Sequence, residues 1–392
     1  MGVALIGDDP IANFSSDRPR IIHVVRQFWP SVGGLEDVVL NLCTAQRARY
    51  GFEPAVVTLD SLFTEPAKRL APRDSVADVP IFRIGWRGSS RYPLAPDVLR
   101  FIGSADLVHV HGVDFFFDFL AWTKPFHRRP LVASTHGGFF HTQFAAGLKK
   151  LYFGSATRLS SRCYDAIVAC SDADADMFRR ITPQNLGTIE NGANIAKFRD
   201  CASQTHRRTL IYFGRFAIHK RIASLFGLLR ELRRLQPDWN LIVAGSEGDV
   251  TADELTATAE TAGVRDAVEF VLRPSDAELR RLIGTASYFA CPSAHEGFGI
   301  AAVEALSAGL IPVLSDIPPF AKLTSRAGLG MTYDPDDAAR AAARVNRLVS
   351  NDAAYDALRQ RAMDAAISYD WAAVAGTYVS LYRAVLARNR PH

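Results

Sequence analysis

The chain has 392 residues, 48% hydrophobic and 22% charged, with a formal net charge of +4. That length suffices for about two domains, each with its own core, and so weak a basic balance makes no case for nucleic acid as a partner. The five cysteines (Cys43, Cys163, Cys170, Cys201, Cys291) have no C-x-x-C spacing and read as reduced, mostly buried thiols of a cytoplasmic protein. No apolar run reaches the roughly 18 residues of a membrane span, and Asp8 and Asp9 stand where a signal peptide needs an apolar core.

Residues 1–19 read as a loose leader. The apolar run 21–25 predicts a buried strand, followed by a loop ending in Gly33-Gly34 and a helix over 35–50. Further strands are expected at 54–59, 79–84, 107–110, 131–134 and 166–169, with Gly- or Pro-bearing loops and helices between them. Such alternation predicts a parallel, doubly wound sheet. There is no GxGxxG, so a nicotinamide dinucleotide site has no support. Gly33 and Gly34 open a helix after the first strand, where bare backbone can face a phosphate or a sugar. His109 alternates with apolar residues as a core histidine does, whereas His111 lies nearer the strand's end and is expected to line an acceptor cleft. His136, in Ser134-Thr135-His136-Gly137-Gly138, ends a strand and enters a loop from which an imidazole can reach a crevice.

Between 124 and 162 there are seven Lys or Arg residues and no Asp or Glu, interleaved with Phe139, Phe140, Phe144, Leu148, Leu151, Tyr152 and Phe153. This is the composition of an interfacial helix lying on anionic lipid. It also suits a helix with a basic solvent face, or a basic acceptor groove. Asp172, Asp174 and Asp176 form two D-x-D patterns, which elsewhere suggest a metal-bound nucleotide sugar. Here Ser171 follows a strand, so helix capping with acidic residues in the first turn explains them, and no metal is expected.

The polar stretch 201–208 reads as the linker. A fresh strand over 209–213 then opens a second Rossmann-like domain. Arg215 and Lys220 follow it; paired cations at a helix start suit a diphosphate, and arginine offers a two-pronged fork. Strands are expected again at 241–245 and 268–272. After an apolar run at 286–291, Glu296-Gly297-Phe298-Gly299 leads into an Ala-rich helix carrying Glu304, which stops at Gly309 before another strand-like run. Strand, glycine loop, helix and strand make half of a parallel α/β layer, whose ligands lie at the carboxyl ends of the strands. Gly297 and Gly299 let backbone approach a ligand, and the helix aims unpaired N–H groups at it. With Glu304 two turns down the helix, the carboxylates lie about 12 Å apart along the axis. They are then too far apart to work on one bond, but well placed to hold hydroxyls at either end of a diphosphate, as in a sugar nucleotide.

Glu296-Gly297-Phe298-Gly299 with Glu304 resembles the E-x7-E element of the family 4 retaining glycosyltransferases, enzymes of the GT-B fold. The resemblance spans nearly the whole chain, and its motifs stand in family order: Gly33-Gly34 (within Gly33-Gly34-Leu35-Glu36), His136, Arg215 with Lys220, and Glu296 with Glu304. It implies an α/β protein of two facing Rossmann-like domains with parallel sheets. An acceptor domain would span 20–200 and a nucleotide-sugar domain 207–370, with a helix at 371–388 crossing back to the N-terminal domain. By the same resemblance His136, Glu296, Arg215 and Lys220 are the catalytic set: His136 and Glu296 on the donor sugar, the two cations on its diphosphate. Donor binding would extend to Gly33, Gly34, Gly297, Phe298, Gly299 and Ile300, to Glu304 on the ribose, and to Leu272 near the base. There Leu272-Arg273-Pro274 stands where the family has a glycine. His111, Phe139 and Phe140 are the implied acceptor contacts, with no cofactor and no metal.

Residues 296–319 and the 136–140 loop look most like bacterial exopolysaccharide mannosyltransferases, which use GDP-mannose and a polyprenyl-diphosphate-linked oligosaccharide. Transfer of glucose or galactose from UDP, a sugar-nucleotide epimerase, and a non-catalytic binding module are the alternatives. The implied location is the inner face of the cell membrane, with the segment 124–162 as peripheral contact.

Overall fold

The computed structural model describes residues 18–389 apart from 32, 91, 137–152, 183 and 350. The chain divides after Asn191 and again after Asp370: the first stretch and the C-terminal helix form unit 1, and Gly192–Asp370 forms unit 2. Unit 1 contains β1 (Arg20–Val24), β2 (Glu53–Leu59), β3 (Arg73–Val76) and β4 (Val79–Ile84), then a small hairpin of β5 (Arg87–Ser89) and β6 (Tyr92–Leu94). β7 (Leu107–His111), β8 (Leu131–Ser134), β9 (Ala166–Ala169) and β10 (Leu186–Thr188) follow. The main sheet has the order β10-β9-β8-β7-β1-β2-β4-β3, parallel throughout except where β3 runs against β4. Every residue of β7, β8 and β9 is buried, as strands covered by helices on both faces must be.

Unit 2 contains β11 (Thr209–Phe213), β12 (Asn240–Gly245), β13 (Val268–Leu272), β14 (Tyr288–Cys291), β15 (Ile311–Ser315) and β16 (Met331–Tyr333). Its order is β13-β12-β11-β14-β15-β16, parallel throughout. In both units the strands step outward from the first one and then restart on its other side. The chain leaving β1 and β7, or β11 and β14, therefore turns to opposite faces of the sheet. A crevice opens at the carboxyl ends of those neighbours.

The helix Trp371–Arg388 packs against the helix Gly34–Tyr50 in unit 1, burying Ala375, Tyr378, Val379, Tyr382 and Val385. Tyr50 Oη donates to the Ala372 carbonyl at 2.6 Å. Among the described residues no helix is long and apolar enough to cross a membrane.

The stretch 201–208 is not a free linker. Ala202 N–H donates to the Ala308 carbonyl at 2.8 Å, Ser203 N–H to that of Ala286 at 3.1 Å, and Tyr355 Oη to that of Ser203 at 2.7 Å. Backbone groups make these contacts, so the polar side chains of the stretch conceal them.

One position shows how the sheet of unit 2 tolerates a proline inside it. Pro312 lies in β15, between β14 and β16. Its ring is accommodated by Gly330, at φ +76°, where a Cβ would stand 2.4 Å from both the Pro312 carbonyl oxygen and ring Cγ. Gly330→Ala is expected to destabilise the protein by about 1–3 kcal/mol, lowering the melting temperature by roughly 3 °C or more. A melt that matches wild type would contradict this packing.

Candidate active site

At the crevice of unit 2 the chain leaves β11 through Gly214 and Arg215, and leaves β14 through Ser293 to Gly299. Ala294 N–H donates to the His219 carbonyl at 2.7 Å, tying the two departing loops together. Lys220 ends the 3-10 turn Ile218–Lys220, and its Nζ lies 2.5 Å from Glu296 Oε1. Ser293 Oγ donates to the same oxygen at 2.7 Å, with the Cys291 thiol at 3.8 Å. All three donors take Oε1; among the described residues Oε2 receives none, which leaves it open to a further donor. Arg215 is exposed on the lip of this crevice and lies 3.8 Å from Asp249. The two cations the sequence pairs are thus held by different acids, Lys220 by Glu296 and Arg215 by Asp249.

Gly299 caps the helix Ile300–Ala308 at φ +86°, and a Cβ there would meet the Phe320 ring at 2.7 Å. Glycine is required on both counts. Gly297 and Ile300 are exposed, and Phe298 packs edge-on against Tyr369 at 5.7 Å between ring centroids. The first helical turn carries no acidic residue, so its amide end is uncompensated. Glu304 is the fifth residue of this helix, only about 6 Å beyond its start, not two turns down. Glu304 is half-buried, and burial raises its carboxyl above the usual range; nearby Lys197 opposes the shift and Asp276 adds to it.

Leu272 ends β13 at the sheet edge, 47% exposed. Arg273, where the family has glycine, adopts the left-handed backbone at φ +48°, and its N–H donates to the Gly245 carbonyl at 2.7 Å. The loop keeps a glycine-like shape, at about 1–2 kcal/mol of backbone strain.

In unit 1, Gly33 is the N-cap of the helix Gly34–Tyr50. The Glu36 carboxylate folds back over it, 2.7 Å from where a Gly33 Cβ would stand, and accepts from Ser31 Oγ at 2.8 Å. With Glu36 and Asp37 in the first turn, this helix end repels a phosphate and is better matched to hydroxyls.

His136 is half-buried, with φ +49°. Both its ring nitrogens are engaged: Nε2 lies 3.0 Å from His111 Nδ1, and Nδ1 lies 3.5 Å from Cys170 Sγ. His111, expected to line an acceptor cleft, is only 1% exposed. Its side chain turns inward from β7 and its Nε2 contacts His23 Nδ1 at 2.9 Å. His109 is a core residue, joined to Tyr382 and Ser134. Burial pulls the pKa of His23 and His136 down to about 4 and those of His109 and His111 well below the usual range, so all four are neutral near pH 7.

His23, His109 and His111 are the one grouping compact enough for a metal ion among the described residues. All six of their nitrogens already have hydrogen-bond partners, so the trio is satisfied as it stands. Ser171 accepts from Asp174 N–H and caps the helix Asp172–Arg179, which accounts for the D-x-D patterns.

Phe139 and Phe140 lie outside the described residues, as does most of the basic aromatic segment. Of its described part, Lys124 is bound to Asp165 at 2.7 Å and Arg129 to the Gly103 carbonyl, while Arg128, Arg158 and Arg162 are exposed. Trp122, Phe126 and Leu159 are exposed beside them in sequence, Phe126 at 86%. Sequence reasoning missed Arg26 and Asp114, which pair at 2.9 Å after β1 and β7, at the crevice of unit 1. Burial raises the Asp114 carboxyl to about 6 against the pull of Arg26. Their places after the two switch-point strands were the available signal.

The Glycosyltransferase Family 4 model matches residues 32–197, and the Glycosyl transferases group 1 model matches residues 195–365. A GDP-mannose:cellobiosyl-diphosphopolyprenol alpha-mannosyltransferase of Komagataeibacter xylinus is 52% identical over 373 residues, 95% of each chain. A protein of the same name from Xanthomonas oryzae pv. oryzae is 46% identical, over 95% of this chain and 98% of its own. Among solved structures, Anabaena HepE in complex with UDP matches with a TM-score of 0.73 at 18% identity, covering 93% of this chain and 100% of its own. A Rickettsia africae glycosyltransferase matches with a TM-score of 0.71 at 14% identity, covering 95% and 99%. At those identities the two structures speak for the fold alone.

The buried Glu304 carboxyl gives a pH prediction. The folded state keeps the proton to a higher pH than the unfolded chain, so this group's contribution to stability falls as pH rises from the ordinary carboxylate range through the raised pKa. Glu304→Gln removes the ionisation. The ligand-free variant is expected to melt higher than wild type at pH 7, and the difference is expected to vanish near pH 4. A variant that melts lower at pH 7 would show the carboxylate to be stabilising.

Proposed function

The chain belongs to the family 4 glycosyltransferases of GT-B fold, and we propose that it transfers an α-mannosyl group from GDP-mannose to a hydroxyl of a polyprenyl-diphosphate-linked oligosaccharide, with retention. The carrying observation is the meeting of Lys220 and Glu296 across the switch point of unit 2, beside a helix start free of acid. One crevice thereby offers a cation and amides for a diphosphate and a carboxylate for sugar hydroxyls. The choice of mannose, GDP and a lipid-linked disaccharide is supported by relatives 52% and 46% identical that bear those words in their names.

In this reading the diphosphate takes Lys220 from Glu296 and draws in Arg215, while Glu296 turns to the donor's hydroxyls and Glu304 to the ribose. His136 orients the sugar near its reacting carbon, and Gly33, Gly34, Gly297, Phe298, Gly299, Ile300 and Leu272 complete the donor's surroundings. The acceptor oxygen bonds to the anomeric carbon as the bond to the diphosphate oxygen breaks on the same face, and the acceptor's proton passes to the leaving diphosphate. The charge growing there is met by Lys220, Arg215 and helix amides, so no metal is assigned.

On this reading the acceptor's lipid brings the reaction to a membrane, and a nucleotide-sugar donor suits its cytoplasmic face. We assign the peripheral contact to the exposed Trp122, Phe126 and Leu159 with Arg128, Arg158 and Arg162. Apolar side chains interleaved with arginines suit the boundary of an anionic bilayer.

The decisive assay offers GDP- and UDP-sugars with and without polyprenyl-diphosphate-linked cellobiose and follows nucleoside diphosphate release. Release from GDP-mannose only with acceptor is expected; equal release from every donor, or conversion of the donor without acceptor, defeats the reading. Lys220→Ala and Glu296→Gln should each lower kcat by about 100-fold or more. For the membrane contact, Trp122→Ser with Phe126→Ser should weaken sedimentation with vesicles containing anionic lipid by about tenfold, leaving turnover on a detergent-dispersed acceptor unchanged. Undiminished vesicle binding would remove that face from the proposal.

A further inference from the structure

Nine uncharged side chains of unit 1 form one circuit, joined by eight hydrogen bonds and one further contact. Cys170 Sγ meets His136 Nδ1 at 3.5 Å, and His136 Nε2 meets His111 Nδ1 at 3.0 Å. His111 Nε2 meets His23 Nδ1 at 2.9 Å, and His23 Nε2 meets Gln46 Oε1 at 3.0 Å. The Gln46 amide nitrogen donates to Tyr382 Oη at 3.3 Å, and Tyr382 Oη meets His109 Nδ1 at 2.6 Å. His109 Nε2 meets Ser134 Oγ at 2.8 Å and Ser134 Oγ meets Tyr378 Oη at 3.0 Å, and the two ends, the Tyr378 hydroxyl and the Cys170 thiol, interact to complete the circuit. The members come from β1, β7, the ends of β8 and β9, the helix Gly34–Tyr50 and the C-terminal helix Trp371–Arg388.

The members' chemistry fixes how the hydrogens run. A neutral imidazole gives a hydrogen from one nitrogen and accepts at the other, and a hydroxyl or thiol has a single hydrogen to give, so every hydrogen finds a partner within the circuit only when each member gives once and accepts once. With every hydrogen so used, setting the direction at one contact sets it at all of them. With Gln46 Oε1 on His23 and its nitrogen on Tyr382, His23 gives from Nε2 and accepts at Nδ1. His111 and His136 then do the same, and the Cys170 thiol gives to His136. On the other side Tyr382 gives to His109, His109 gives from Nε2 to Ser134, Ser134 to Tyr378, and Tyr378 to Cys170. Turning the Gln46 amide over would reverse every bond together. A mixture of tautomers would set two hydrogens or two lone pairs against each other between imidazoles, or leave a buried hydroxyl hydrogen without a partner, the costly cases. Burial also keeps the members uncharged, pushing the Cys170 thiol up to about 12 while it depresses the imidazoles.

We propose that this ring positions His136: it holds His23, His109, His111 and His136 in one shared tautomer, and through Tyr378 and Tyr382 it makes the C-terminal helix part of the apparatus that orients the His136 imidazole. His111, Cys170, Tyr378 and Tyr382 are positioning residues; the proposal rests on the reading in which His136 touches the donor sugar.

The full-length chain, uniformly labelled with 15N-histidine, reports the tautomers at pH 7 through long-range ring correlations, with the four signals assigned by single His→Gln variants. Four neutral imidazoles of one kind, Nε2–H given the Gln46 orientation, are expected; a mixture, or a cationic member, overturns the ring. Transfer from GDP-mannose to the lipid-linked disaccharide then tests its purpose. Cys170→Ala should lower kcat about tenfold, short of the roughly hundredfold that a 1 Å misplacement can cost, with the donor KM within about twofold. Cys170→Ser, which can still accept from Tyr378 and give to His136, should restore kcat; Tyr382→Phe should lower it as Cys170→Ala does. A folded Tyr382→Phe protein at wild-type kcat, or a Cys170→Ser protein as slow as Cys170→Ala, overturns the positioning role. If His136→Ala turns over like wild type, the assignment of His136 to the sugar fails, while the tautomers still decide the ring.

Discussion

Two loops that leave neighbouring parallel strands toward opposite faces of a sheet are what unit 2 is arranged around. No side chain creates that gap: it follows from a strand order that restarts beside its own first strand. What the sequence adds is a cation at one lip and a carboxylate at the other. Lys220 and Glu296 are only 20% and 12% exposed, so either alone would be a poorly solvated charge. Together they form an ion pair already largely shielded from solvent. A ligand bringing negative charge for the lysine and hydroxyls for the acid can exchange with the pair without stranding either group.

Unit 1 repeats the topology with the opposite electrostatics. The helix following its first strand begins with Glu36 and Asp37, whereas the helix following β14 in unit 2 begins with Ile300 and no acid. One sheet plan thus yields one helix start whose amides face no acid of their own first turn and one whose acids oppose an anion. The glycines look alike in both places, and the residues one turn further along decide between them.

Much of the fold was legible in the sequence. The alternation of apolar runs with glycine-bearing loops gave the parallel sheets, and it set Arg215, Lys220 and Glu296 in the segments that leave β11 and β14, with Glu304 on the helix that follows. What escaped has identifiable causes. β3, β5 and β10 are too short and too polar to carry a period-two signal. The stretch 201–208 packs through its backbone, which composition does not report. His111 has the spacing of a strand-end residue, but the face on which such a residue lies depends on register, and here it points inward. Arg26 with Asp114 and the circuit through Tyr378 and Tyr382 join residues up to 336 positions apart, as between Gln46 and Tyr382. No local pattern shows such pairings; only the folded topology brings them together.

The division between the units extends to charge. The groups gathered around His136 are all uncharged and kept so by burial, while those around Lys220 are ionic and kept so by pairing. Glycosyl transfer separates charge in a matching sense: negative charge grows on the leaving diphosphate, and positive character grows at the sugar's reacting carbon, as in other oxocarbenium-like transition states. A cationic imidazole beside that carbon would oppose the second change, and an imidazole free to rotate would solvate it poorly. A histidine held neutral, in one orientation, by a circuit that tolerates no added proton avoids both. On the proposed reading, the buried histidines therefore serve the chemistry by what they prevent. Leucines in their place could fill the core but would orient nothing.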